Sequence, residues 1–129
     1  MMHFQEMFAA LRPGGGIRIG APHLSNACRK YVEGDHKWFS NYPDHRQSLG
    51  GRFTNFIFCR GEHLTALYQS YLREIAEKCG FVDISFPTPV KETKLENLGI
   101  NELVLSKEYE SDFAVPHTVI LEARKPENS

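Results

Sequence analysis

The stretch that most constrains this chain runs from Leu11 to Leu24, where Pro13 and three successive glycines separate a helical pattern from a short apolar run closed by Pro22. Phe4, Met7, Phe8 and Leu11 recur at spacings of three and four, which predicts a helix over residues 2–12 with one apolar face. Gly14 to Gly16 can adopt the positive φ that a tight reversal into a strand needs. Ile17 to Ala21 is short, apolar and bounded by punctuation, as expected of a strand buried on both faces. Arg18 is the discordant residue within it, read as snorkelling from the strand's start. Helix, glycine turn and interior strand, in that order, belong to an α/β layered protein. A phosphate-binding glycine loop needs the opposite order, strand before and helix after, so these glycines are read as a turn.

The rest of the chain extends the pattern. Leu24, Ala27, Cys28, Tyr31 and Val32 predict a helix over residues 26–33, with Ser25 as its amino-terminal cap and Gly34 as its stop. Residues 35–59 lack a clean period and are rich in aromatics and histidine. Such a stretch reads as a cover for the sheet edge, a lid over a substrate pocket, or short helices, one turn of which is marked by Phe53, Phe56 and Ile57. The clearest helix, over residues 62–79, carries Leu64, Leu67, Tyr68, Tyr71, Leu72, Ile75, Ala76 and Cys79 on one stripe and stops at Gly80. Val82, Ile84 and Phe86 alternate as a strand over residues 82–86. Residues 87–116 form a long connection with a short structured piece at about 101–106, and a β-rich run over residues 117–123 closes the chain. The expectation is a single domain over residues 1–129, with a small mixed sheet of three strands and flanking helices.

Composition narrows the function classes. With a formal charge of -1 and a pI near 6.6, electrostatics gives no case for a nucleic-acid or acidic-membrane partner. No apolar run approaches the roughly 20 residues of a membrane span, and no basic-plus-apolar leader opens the sequence, so the expected location is the cytoplasm. Cys28, Cys59 and Cys79 are odd in number and lack metal-ligand spacing, which reads as reduced, packed thiols. The six histidines form no zinc-hydrolase motif, and serine nucleophile elbows and paired-cysteine motifs are absent.

Three segments together carry a family resemblance. Glu6, then Leu11-Arg12-Pro13-Gly14-Gly15, the strand after them, and Pro22 and Leu24 are similar to the helix that enters the fifth strand of class I S-adenosylmethionine-dependent methyltransferases, and to that strand. Leu72, Ile75 and Cys79-Gly80-Phe81 resemble the segment before the family's sixth strand. Val119 and Ala123-Arg124-Lys125-Pro126 resemble its final strand, which in that fold inserts antiparallel between strands five and six. The resemblance implies the carboxyl-terminal half of a Rossmann-like methyltransferase domain. The family holds its cofactor on a glycine-rich loop after strand one and an acid ending strand two, and this sequence contains neither. Cofactor-binding and metal residues are therefore expected to be none, and the chain alone is expected to be inactive.

Four residues are candidates for the acceptor side of such a site. His23 lies just past the carboxyl end of the first strand, where open α/β sheets bind ligands. Trp38 is placed to line an acceptor pocket. His63 and Tyr68 fall in the neighbourhood of a family element that opens the helix before strand six, although Glu62 and Gln69 replace a histidine and an acid of that element. His23 and His63 are read as acceptor-side bases or hydrogen-bond donors, because histidine titrates near neutrality. The methyl acceptor and the catalytic residues are not legible. The alternative is a non-enzymatic, methyltransferase-like module that covers an exposed sheet edge by forming a homodimer or docking on a partner.

Overall fold

A computed structural model describes residues 4–40, 45–58 and 68–128. Three strands form one sheet: β1 (Gly16–Pro22), β2 (Val82–Ser85) and β3 (Thr118–Arg124). The helices are α1 (Phe4–Ala10), α2 (Leu24–Glu33), α3 (Leu49–Phe58), α4 (Gln69–Cys79) and the short α5 (Glu102–Leu105), with 3-10 turns at His36–Trp38 and Glu96–Leu98. The strand order is β1-β3-β2, with β3 antiparallel to both neighbours. The protein is thus a mixed α and β structure around a small antiparallel sheet, with several helices. The expected mixture of parallel and antiparallel pairings is corrected: β1 and β2 run the same way, but the final strand separates them.

Nor is β1 a strand buried on both faces. It is an edge strand, only partly buried, whereas Val119, Ile120, Leu121, Glu122 and Ala123 of β3 are all at most 4% exposed. A short apolar run does not distinguish a central strand from an edge. Lys125 N–H bonds to the Gly15 carbonyl and His23 N–H to the His117 carbonyl, so the odd-numbered residues of β1 exchange bonds with β3. The amides of Arg18 and Gly20 consequently point outward, and no described residue pairs with them.

One face of the sheet carries the main core. Val119, Leu121 and Ala123, with Ile17, Ile19 and Ala21 beside them, pack on Phe4, Leu72, Ala76 and Phe81, so α1 and α4 cover the same face. Phe81 is steered there by Gly80, whose φ of 102° ends α4. The Gly80 amide reaches the Glu77 carbonyl and the Phe81 amide the Ala76 carbonyl, a helix-terminating motif that needs a residue tolerant of left-handed geometry. Phe81 then meets Phe4 and Phe8 edge to face, at 6.2 and 5.1 Å between ring centres. Lys125 closes the other end. Its ammonium donates to the carbonyls of Phe8 and Leu11 at 2.9 Å, where a helix carboxyl terminus attracts a cation.

The opposite face is covered by the 87–116 connection. Its Leu95 and Leu105 are buried, and a side chain at Gly16 would come within 3.0 Å of Leu95 and Leu98. The short structured piece foreseen there is α5, capped by Asn101, whose Oδ1 accepts the amides of Leu103 and Val104. The reading of Arg18 as snorkelling is overturned. Its side chain is 4% exposed, because Glu122 lies directly opposite on β3 and Glu108 reaches it from the connection.

Beyond the carboxyl end of β1 a second, aromatic cluster forms a cap: Ala27, Trp38, Phe39 and Ile57, with Leu24, Leu49, Phe53, Phe56 and Val115 packed around them. The stretch 35–59 therefore contributes the His36–Trp38 turn and α3. Gly50 and Gly51 near the start of α3 weaken its helical pattern, which is why only its later turn is visible in the sequence. Of the helix expected over 62–79, residues 69–79 are helical and 62–67 lie outside the described residues.

Candidate functional site

The candidate site sits where β1 delivers the chain into α2, under the aromatic cap. A shallow hollow of about 260 Å³ opens there, lined by Gly20, Ala21, Pro22, Phe56, His117 and Thr118. His117, immediately before β3, is its chemical centre. Its Nδ1 lies 2.7 Å from Glu110 Oε2, its Nε2 faces the Trp38 carbonyl oxygen, and its ring stacks on the Trp38 indole at 4.0 Å with an interplanar angle of 12°.

Glu110 is held as firmly as its ring partner. Its side chain is fully buried, and its two oxygens accept the backbone amides of His117 at 2.7 Å, Thr118 and Ser111 at 3.2 Å and Asp112 at 3.3 Å. Asp112 continues the same turn by accepting the amides of Ala114 and Val115. A carboxylate that orients an imidazole is the arrangement of a general base. In this conformation, however, the outer nitrogen is engaged by Trp38, so the pair holds a proton in place.

Two of the four predicted residues meet at His117. His23 donates its backbone N–H to the His117 carbonyl at 2.8 Å, and its Nδ1 accepts the Asn26 amide at 3.2 Å. His23, and not Ser25 as expected, is therefore the amino-terminal cap of α2. Partial burial pushes its pKa down, which favours the neutral ring. With Nδ1 accepting, the neutral ring carries its proton on Nε2 and offers a hydrogen-bond donor there, not a base. Trp38 is 5% exposed, with its amide capped by Asp35 and its indole N–H donating to the Val115 carbonyl at 2.8 Å. It does not line the hollow; it braces His117 from behind.

The other two do not join them. The periodicity places Tyr68 on the apolar helix stripe, but it is the residue before α4, 46% exposed and outside the core. An interior periodicity ran through a position where the helix has only begun. His63 lies outside the described residues. Sequence reasoning missed Glu110 and His117 as a pair, since they lie seven positions apart across an irregular loop and no helical or strand spacing links them.

A second buried charge cluster lies on the covered face of the sheet. Arg18 grips Glu108 through Nε at 2.7 Å and Nη2 at 2.8 Å, and Glu122 through Nη1 at 2.6 Å. Nη1 also donates to the Glu92 carbonyl, Glu122 accepts the Thr93 hydroxyl and the Lys94 amide, and Glu108 accepts the Val90 amide. Burial alone works against the guanidinium charge, but the hydrogen bonds to Glu108 and Glu122 outweigh it and raise the Arg18 pKa. Hydrogen bonding from Arg18 holds Glu108 below the ordinary carboxylate value against the opposing effect of burial. This cluster fastens the 87–116 connection to the sheet. The groove of about 530 Å³ beside it mixes Lys91 and Lys94 with Glu92, Glu96 and Glu102, and presents no single charge to a ligand.

Among the described residues no group of three or more His, Cys, Asp or Glu is arranged to hold a metal ion, and no helix is long and apolar enough to cross a membrane. Compared with protein-family models, curated proteins and solved structures, the chain matches none.

Proposed function

We propose that this chain supplies the acceptor-side half of an S-adenosylmethionine-dependent methyltransferase-like domain, with the open edge of β1 pairing with a strand of a cofactor-binding half. The observation that carries the reading is the sheet itself. β3 lies antiparallel between two strands that run the same way, and each of those is entered from a helix on the same face, α1 into β1 and α4 into β2. That is the order the family resemblance implies for its fifth, final and sixth strands. The outward amides of Arg18 and Gly20 offer the next strand its partners.

The described residues do not fit the cofactor. The hollow at the end of β1 has no carboxylate to bind ribose hydroxyls, and β1 passes into α2 through Pro22 and His23 instead of a glycine turn. No step of methyl transfer is therefore assigned to them. The His23 imidazole N–H and the Phe56 and His117 rings are the groups this chain would present to an acceptor, holding and orienting it. The same open edge also supports the second reading, a non-enzymatic module that pairs with a copy of itself.

Two measurements separate these. Genomic sequence around the reading frame is searched for a glycine-rich βα unit, in frame or as a neighbouring gene. The 129-residue chain, alone and joined or mixed with that unit, is then titrated with S-adenosylmethionine by calorimetry. Binding only when the unit is present is expected; tight binding by this chain alone, or none by the combination, overturns the methyltransferase reading. Light scattering of the chain and of Gly20→Pro, which removes one outward amide and no hydrogen bond to β3 while bringing a Cβ to 3.3 Å from Thr118, tests the edge, with circular dichroism to show that the variant folds. Dimers lost in Gly20→Pro and no cofactor binding in any form favour the non-enzymatic module.

A further inference from the structure

We infer that Glu110, His117 and Trp38 form a proton-operated latch: the doubly protonated His117 ring clamps the aromatic cap over the end of β1, and loss of one ring proton to solvent releases it. This concerns the cap alone and does not rest on the methyl-transfer reading.

Donors and acceptors around the ring decide its protonation. The Trp38 carbonyl can only accept, so the Nε2 facing it carries a proton. The Glu110 carboxylate already accepts four backbone amides, so the Nδ1 facing it donates as well. Two donating nitrogens make an imidazolium. If the ring keeps only its Nε2 proton, the Nδ1 lone pair is pressed against a carboxylate oxygen; if it keeps only Nδ1, the Nε2 lone pair meets the Trp38 carbonyl. The bond to a charged partner is the stronger of the two, so the Trp38 contact is the one that parts. Trp38 then keeps its indole bond to the Val115 carbonyl, its amide bond to Asp35 and its packing on Phe39 and Phe56, and Asn26 of α2 still reaches the Pro116 carbonyl, so the cap loosens at the contact between Trp38 and His117 first.

Among the described residues no neighbouring group substitutes for the latch. From α2 the ring is approached by His23, engaged as a cap, with Arg29 further along paired to Glu33. On its own loop stands Asp112, occupied by two amides. Around the Trp38 turn, Asp35 pairs with Lys30, while Arg52 of α3 donates to the carbonyls of His36 and Phe39.

Trp38 is the sole tryptophan, so indole emission from the intact chain reports the stack. Emission is followed across roughly pH 5 to 9, the span on either side of an ordinary imidazole, while nitrogen NMR of the His117 ring reads its protonation in the same samples. The expected result is an imidazolium at the acid end, with its loss coinciding with a rise and red shift of Trp38 emission. His117→Gln should abolish the emission step, and Glu110→Gln should displace it if His117→Gln does not fold. A His117 ring found neutral throughout the range, or Trp38 emission that stays flat while that ring titrates, overturns the latch.

Discussion

Two buried carboxylates, Glu122 and Glu110, do the same structural work by different means. Each ties an irregular loop to β3 by accepting backbone amides, and each has a side-chain nitrogen partner within 2.7 Å. Glu122 is paired with a guanidinium, which stays charged at any pH the fold survives, and the Arg18 fork is shared with Glu108. Glu110 is paired with an imidazole, whose charge is conditional. The sheet side is therefore fastened by an ion pair, while the cap over the end of β1 meets β3 through an imidazole. The same acid thus serves two loops of the fold with different partners.

The largest effect should come from breaking the ion-paired side. Arg18→Met leaves Glu122 buried without a cation and should cost about 3 to 5 kcal/mol in urea unfolding. Adding Glu122→Leu should recover more than half of that, since the remaining Glu108 is 23% exposed and can turn to water. A double variant as unstable as the single one would show that the network is worth more than the relief of a stranded charge.

Glu110→Ala should cost less, about 2 to 3 kcal/mol by the same measurement, because the stranded groups are four backbone amides and the His117 ring, which is 21% exposed and can turn to water. It should also expose Trp38 to quenchers, whereas Arg18→Met should not.

Acid separates the two regions further. Glu108 is held below its ordinary value in the fold, so its contribution is present above the unfolded carboxylate value and fades as pH falls through the lower, folded one. His23 is likewise lowered, and it stabilises as the neutral ring: its contribution is present above the unfolded histidine value and is lost as pH falls through the folded one. Amide exchange followed downward in pH should therefore show α2 loosening first and the 87–116 connection only at carboxylate pH. The latch has the opposite sign, weakening as pH rises.

Smaller effects follow at the cap of α2. His23→Ala should cost about 1 kcal/mol and His23→Asn less than about 0.5, since asparagine is itself a good capping acceptor. Both should remove the acid loosening of α2 in the same exchange experiment. The smallest change is expected at Val90, a β-branched residue held at φ 68° while its amide bonds to Glu108. Val90→Gly should leave that bond and stabilise by on the order of 0.5 kcal/mol in thermal unfolding. A loss instead would mean that the valine side chain packs to more purpose than its strain costs.

How much of this was legible follows the range of each interaction. The helix–glycine–strand unit, the stops at Gly34 and Gly80, and the short α5 piece were readable, because caps and turns are made by residues a few positions apart. Arg18 was recognised as out of place in an apolar strand, which was the right signal, but its partners were not visible. Glu122 and Glu108 lie 104 and 90 positions away. His23 was picked for its place at the end of a strand, and its capping role was assigned to Ser25 because serine is the commoner cap. Tyr68 followed a periodicity that did not know where the helix starts.

The amino-acid sequence by itself determined where this chain turns, which segments are amphipathic, and that they alternate as helix and strand. Those are properties of local backbone geometry and of side-chain period. Only the tertiary structure decided that β1 is partly buried instead of interior, that Glu122 of β3 and Glu108 of the connection find the Arg18 guanidinium, and that Glu110 meets the His117 imidazole. Each of those outcomes depends on burial, which is settled by what the whole chain packs against a residue.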